Sequence, residues 1–251
     1  MSNNEDFLIQ TEWAWDHVLK KGETLLVNGP HNIEQALDTT LLVSQTALAL
    51  SLGRPVMLFP CHTPKKVLFI NTYLDNKELF EITSTQIGGE NNFSLYTENF
   101  IMVCIDADNL LSLKPKLRTM IDRVNPDIIV WDNLNSLTKH CTLSEGMSMI
   151  KELSGLRTKI ISHHFNTEKE SELFFNLIQQ SSSAMTFEHF KNDDFYSLKL
   201  ERKNGTFYSK AKVYKNEKRL SFYNINVRRF RVGDDKNYIE QDNGVMPPLP
   251  L

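Results

Sequence analysis

Residues 127–134, Asp127-Ile128-Ile129-Val130-Trp131-Asp132-Asn133-Leu134, form an apolar run closed by an acid. A carboxylate at the C-terminal end of a buried strand can hold magnesium through water, beside the phosphates of a nucleotide. That chemistry needs partners. Backbone N–H groups of a glycine-containing turn must surround the phosphates at a helix N-terminus, a lysine must neutralise the β and γ charges, and a Ser or Thr must ligate the metal. A strand (Thr24–Asn28), a turn with Gly29-Pro30 and a helix (Thr39–Leu52, closed by Gly53) follow in that order, yet no lysine lies between Lys21 and Lys65. Counted from Gly29, the second glycine, lysine and hydroxyl positions fall on Glu34, Gln35 and Ala36; in a longer turn, with Thr39 and Thr40 opening the helix, the lysine position is Asp38. Either register removes a cation and supplies an acid. Unit charges about 4 Å apart interact by roughly 4 kcal/mol at an effective dielectric near 20, so the reversal disfavours ATP binding in the usual mode and hydrolysis more so. Gly29, Gln35, Asp38, Thr39 and Thr40 thus read as a degenerate phosphate loop. No cofactor and no metal are expected, with ATP and magnesium entering only if an atypical loop still works.

Asp132 therefore has two readings, water-mediated magnesium ligation or a relic that caps a helix or hydrogen-bonds loop backbone. His163 and His164 close another apolar run, Lys159-Ile160-Ile161-Ser162. They are suited to sensing a γ-phosphate or connecting to DNA loops, or equally to a hydrogen-bonded structural pair. Cys61, Cys104 and Cys141 lack metal-ligand spacing and read as reduced packing residues. Residues 200–232 carry ten Lys or Arg against two acids, a net of +8 in a chain whose formal net charge is −3. Phe207, Tyr208, Tyr214, Phe222, Tyr223 and Phe230 interleave with those cations. Such a mixture suits phosphate contacts plus base stacking, with Lys210, Lys212, Arg228, Arg229 and Arg231 as DNA-binding candidates; an amphipathic hairpin with solvated cations predicts the same alternation.

The elements that position these residues alternate. Lys66–Ile70, Ile101–Ile105, the acid-ended run of residues 127–134 and Lys159–Ser162 read as largely apolar strands, separated by helices near 76–86, 110–124 and 145–156. That alternation indicates a parallel sheet covered on both faces. After about residue 182 the pattern becomes antiparallel: 195–201, 206–214 and 219–225 alternate, with Asn204-Gly205 and Lys215-Asn216 as turns. With 251 residues, 41% of them hydrophobic, the chain can bury one sizeable core, so residues 1–232 are expected to form one domain. Within it residues 1–21 are expected as a helical lead-in, and the polar, Pro-rich residues 233–251 as a disordered tail or a ligand for an aromatic groove. No apolar stretch approaches the roughly 18 residues that span a bilayer, and the acidic start lacks a signal peptide's regions. A cytoplasmic protein without membrane insertion is expected.

The order of the pieces carries a resemblance. Gly53-Arg54-Pro55, Phe59-Pro60 and Pro64-Lys65-Lys66-Val67-Leu68-Phe69-Ile70-Asn71 resemble the segment joining the first helix to the second strand in RepA-like P-loop ATPases of the RecA superfamily. Pro126–Leu134 is similar to that family's Walker B strand, Ile160–Asn166 to its strand ending in paired histidines, and Ser181–Met185 to the small-residue segment that follows. The similarity spans roughly residues 22–225. It implies an α/β fold: a RecA-like core with a mainly parallel central sheet flanked by helices, extended by C-terminal antiparallel strands. It also implies a homo-oligomer, or a hetero-oligomer with another RecA-type ATPase, and a glutamate at the end of the second strand to polarise water. Here that strand runs into Asn71-Thr72, and Asp75 substitutes only if the backbone bends. Arg202 or Lys203 is placed to reach a neighbour's nucleotide as a trans-acting finger. The expected function is a non-hydrolysing regulatory or structural partner in bacterial, plasmid or phage DNA metabolism. The alternatives are an active helicase or translocase with an atypical loop, and a protein-binding scaffold unrelated to DNA.

Overall fold

The computed structural model describes residues 13–15, 18–29, 36–57, 59–87, 98–106, 110–137, 141–164, 181–189, 195–202, 207–216, 218–232 and 238–241. In chain order the strands are β1 (Trp13–Trp15), β2 (Leu19–Lys20), β3 (Thr24–Gly29), β4 (Val67–Asn71), β5 (Phe100–Cys104), β6 (Ile128–Asp132), β7 (Thr158–His164), β8 (Ser183–His189), β9 (Tyr196–Arg202), β10 (Phe207–Asn216), β11 (Arg219–Val232) and β12 (Tyr238–Gln241). The helices are α1 (Ala36–Ser51), α2 (Asn76–Ile87), α3 (Leu110–Val124), α4 (Leu134–Leu137) and α5 (Leu143–Ser154).

Ten strands form one sheet in the order β12-β11-β10-β9-β8-β3-β7-β6-β4-β5. From β8 to β5 in that order the neighbours are parallel, and from β8 to β12 they are antiparallel. Strand β7 lies between β3 and β6, so the two ends that matter for the site are one strand apart. Side chains of successive strand residues leave on opposite faces. Leu25, Val27, Val67, Phe69, Ile128 and Val130 join one buried cluster with Leu41, Leu42 and Leu48 of α1 and Leu79 and Ile82 of α2. Leu26, Leu68, Ile70, Ile129 and Trp131 join a second with Leu117 and Ile121 of α3 and Ile150 and Leu153 of α5. This two-sided cover is why the central strands read as unbroken apolar runs. Helix α5 starts at a capping box, in which the Glu145 amide donates to the Thr142 hydroxyl and the Thr142 amide to the Glu145 carboxylate, 2.7 Å away.

Two expectations are corrected. Where a helical lead-in was expected, Trp13–Trp15 and Leu19–Lys20 pair as antiparallel strands. Extended backbone lets Trp15 enter the core, its indole N–H 3.4 Å from the Phe59 carbonyl, while Trp13 lies against the Arg202 guanidinium and the Lys20 ammonium. In the tail expected to be disordered, Tyr238–Gln241 adds to the sheet edge, with Val232 opposite Tyr238 and Arg229 opposite Gln241. The short Tyr238-Ile239 signal was submerged in polar neighbours. Residues 1–12, 233–237 and 242–251 lie outside the described residues. The described helices include none long and apolar enough to cross a membrane.

Candidate functional site

In open α/β sheets ligands gather at the carboxyl ends of the parallel strands. Here that edge is formed by Gly29 of β3, Asn71 of β4, Asp132 of β6 and His163-His164 of β7, with the first turns of α1 alongside. Asp132 is its centre and is almost completely buried, 1% exposed. The Thr40 hydroxyl donates to Oδ2 at 2.9 Å, the Asn71 amide to the same oxygen at 2.6 Å, and the Ser162 hydroxyl to Oδ1 at 2.7 Å. Ser162 in turn accepts from the Asn133 amide at 2.7 Å, and Asn133 sits in the left-handed region with φ 67. Burial pushes the Asp132 carboxyl above the usual carboxylate range, and the Ser162, Thr40 and Asn71 hydrogen bonds pull against that shift.

A carboxylate offers about four lone-pair sites, and three are taken by protein donors. Magnesium and a nucleotide triphosphate, which a RecA-like fold implies, are poorly matched by these residues. Among the described residues, the side chains that donate to Asp132 are a hydroxyl, an amide and a second hydroxyl, with no cation among them. Asn71 is committed at both ends, its Oδ1 accepting from the Tyr73 amide at 3.0 Å and the Leu74 amide at 2.7 Å. Thr72 donates to the carbonyls of Asp132 and Asn133. Asp75, the one substitute base weighed from sequence, is exposed and caps α2, accepting from the Glu78 amide at 2.8 Å. No general base is placed beside the enclosed Asp132 by these residues.

Gln35 and the rest of residues 30–35 lie outside the described residues, so the loop itself is bounded only by Gly29 and Ala36. Helix α1 begins three residues earlier than the sequence suggested, and Thr40, rather than Thr39, meets Asp132. Thr39 closes on Gly29: a Cβ there would lie 1.9 Å from the Thr39 Oγ1, which leaves room only for glycine. That hydroxyl is buried without a hydrogen-bond partner among the described residues. Asp38 faces the antiparallel extension. The Lys215 ammonium of β10 lies 2.5 Å from its Oδ1, and the Tyr196 hydroxyl of β9 donates to its Oδ2. Burial, reinforced by the Asp38 hydrogen bond, pushes the Tyr196 phenol up.

His163 is buried on β7 with Asn28 as its ladder partner, while His164 stands opposite Gly29. Arg202 is not available to a neighbouring subunit. It is 9% exposed, 2.6 Å from the Glu23 carboxylate and 3.0 Å from the Val18 carbonyl, with its guanidinium 4.8 Å from the Trp13 ring centre. Lys203 lies outside the described residues. Lys210 and Lys212 are exposed on β10; Arg228 and Arg229 stand opposite Tyr208 and Phe207 in the ladder, and Arg231 opposite Ile239. Among the described residues no group of three or more His, Cys, Asp or Glu could hold a metal ion. Sequence reasoning missed Ser162 and Tyr196 as site residues, and treated Asn71 only as a missing glutamate. The available signal was positional, since Asn71 ends β4 and Ser162 lies two residues before the end of β7, the strands that flank β6.

No family model matches the chain, and no curated protein matches its sequence. Among solved structures it is similar to a KaiC-like protein, PH0186, from the hyperthermophilic archaeon Pyrococcus horikoshii OT3, with a TM-score of 0.51 and 11% identity over 89% of this chain and 91% of that one. Similarity at that identity speaks to fold. The architecture is the RecA-like one that the sequence resemblance implied, a mostly parallel sheet flanked by helices and extended by antiparallel strands.

Proposed function

We propose that this chain is a catalytically degenerate RecA-like protein that does not hydrolyse ATP and serves as a regulatory or structural partner in DNA metabolism of bacterial, plasmid or phage type. It would work in the cytoplasm, assembled with itself or with another RecA-type ATPase. One observation carries the reading: the acid in the magnesium position is enclosed by Thr40, Asn71 and Ser162 and tied into the fold by all three. Two sequence facts agree with it, the lack of any lysine from residue 22 to residue 64 and the Asn71-Thr72 pair where water activation needs a glutamate.

The test is turnover and binding by purified protein in magnesium. The expected result is no phosphate release above buffer and no saturable binding of a fluorescent ATP analogue at micromolar concentration. Hydrolysis that disappears in Asp132→Ala, with folding intact, would instead make the chain a working ATPase with an unusual loop.

A further inference from the structure

The inner face of the antiparallel extension is accounted for. Leu198, Leu200, Ala211, Val213 and Leu220 are buried in the cluster under α1, and Gln45 of α1 holds both backbone groups of Leu220. The outer face carries a different set. Alternation along β10 sends Lys210, Lys212 and Tyr214 to the exposed side while Ala211 and Val213 go inward. Lys212 stands opposite Tyr223 of β11 in the ladder, and Tyr214 opposite Ser221. Three rings run side by side there: Phe195 and Tyr214 with centres 5.8 Å apart, then Tyr214 and Tyr223 at 5.3 Å and edge to face. The Lys212 ammonium lies 4.2 Å from the Phe195 ring centre. Tyr214 and Tyr223 are each 39% exposed, although aromatic residues on a sheet face ordinarily bury against a neighbour.

We infer that this outer face binds single-stranded polynucleotide, with Tyr214 and Tyr223 as stacking platforms and Lys212 and Lys210 as phosphate contacts. The inference rests on the DNA-directed part of the proposed function and adds its location and the form of its ligand. Exposed rings on an open sheet face can stack on splayed bases, whereas a paired duplex hides those base faces. Charge points the same way. Lys199 on this face is paired with Glu201 at 2.7 Å, Lys215 with Asp38 and Lys218 with Glu81, whereas Lys212 is exposed and has an aromatic ring as its neighbour. Beyond Lys210 the ladder sets Tyr208 opposite Arg228, a further cationic position in register with this face. A polyanion with flat, exposed bases satisfies both the rings and the ammonium groups; an acidic peptide would leave the rings uncovered.

Fluorescence anisotropy of a labelled oligothymidylate across a salt series tests this, using the full chain. The expected result is saturable binding that weakens steeply with salt, about a tenfold rise in Kd for Tyr214→Ala or Tyr223→Ala, and near-retention in the phenylalanine variants, which keep the ring. Lys212→Ala should reduce the salt slope by about 0.7, the contribution of one phosphate contact on a single strand. A duplex of the same length should bind at least about tenfold more weakly. Binding unchanged in the Tyr214→Ala, Tyr223→Ala double variant, with thermal melting like the parent, overturns this face while leaving DNA as the ligand. No binding by the parent chain overturns both, and ATP turnover would overturn the pseudoenzyme reading alone.

Discussion

Asp132→Ala separates a structural acid from a metal ligand. If Asp132 is part of the fold, the substitution removes three hydrogen bonds to a buried acceptor, from Thr40 at 2.9 Å, Asn71 at 2.6 Å and Ser162 at 2.7 Å. Hydrogen bonds to charged groups contribute about 1.5–3 kcal/mol each, and relief of the buried carboxylate's own desolvation offsets several kcal/mol of that sum. The donors left behind are in a dry site, so the net loss should be about 3–5 kcal/mol. For a chain of this size that corresponds to a melting point lower by roughly 6–15 °C. The assay is urea unfolding followed by tryptophan fluorescence, with Trp131 next to the substituted residue, and calorimetry beside it. Magnesium and ATP should leave the parent's midpoint unmoved. A carboxylate held in place for a metal behaves oppositely, because crowded acceptors are a cost in the metal-free protein. A loss under about 1 kcal/mol, or a gain, would refute the structural role and with it the main support for a non-hydrolysing protein.

Four further outcomes follow from the same geometry. Burial raises the Asp132 pKa, so the folded state keeps its proton at pH values where the unfolded chain has released it; stability should fall as pH climbs from the ordinary carboxylate range through the raised folded value. Asp132→Asn should lack that decline, and the difference between parent and variant urea midpoints from about pH 4 to 8 isolates it from carboxylates shifted the other way. Gly29→Ala should destabilise by about 1–3 kcal/mol through the clash with Thr39, with part of the loss recovered by adding Thr39→Ala, read in a double-mutant cycle. Arg202→Ala should cost about 3–5 kcal/mol by stranding Glu23 and uncovering Trp13, and Arg202→Lys should rescue little, as unfolding curves will show. Thr142→Ala should cost about 1 kcal/mol by opening the α5 capping box, measured the same way.

The central sheet was legible because strands buried on two faces leave continuous apolar runs, as in Val67–Ile70 and Ile128–Trp131. Asp132 was legible for the same reason, an acid where such a run stops. The enclosure around it was not. Asn71 ends its strand and Ser162 lies two residues before the end of its own, polar positions of a kind shared with solvated loops, and only the sheet order brings both to Asp132. Arg202 reads in sequence as one of ten cations in a basic stretch; its burial depends on Glu23 and Trp13, some 180 residues earlier. The destination of Asp38 was hidden likewise, since Tyr196 and Lys215 are more than 150 positions away.

Asp38 also connects the site to the extension. It sits two residues before Thr40 on α1, and the two side chains leave that helix toward different parts of the sheet: Thr40 to Asp132 on β6, Asp38 to Tyr196 on β9 and Lys215 on β10. The opening of α1 is therefore braced between the parallel core and the antiparallel strands. A phosphate-binding helix start needs free N–H groups and positive charge directed at its ligand. Here the charged residue near that position is an acid, and its compensating cation, Lys215, lies at its other side, on a strand of the extension. The acid at position 38 thus fastens β9 and β10 to the core. A lysine at position 38 would bring its charge against Lys215 and orphan the Tyr196 hydroxyl. A cation placed at this helix start would for that reason disturb the seat of the strands proposed to carry polynucleotide.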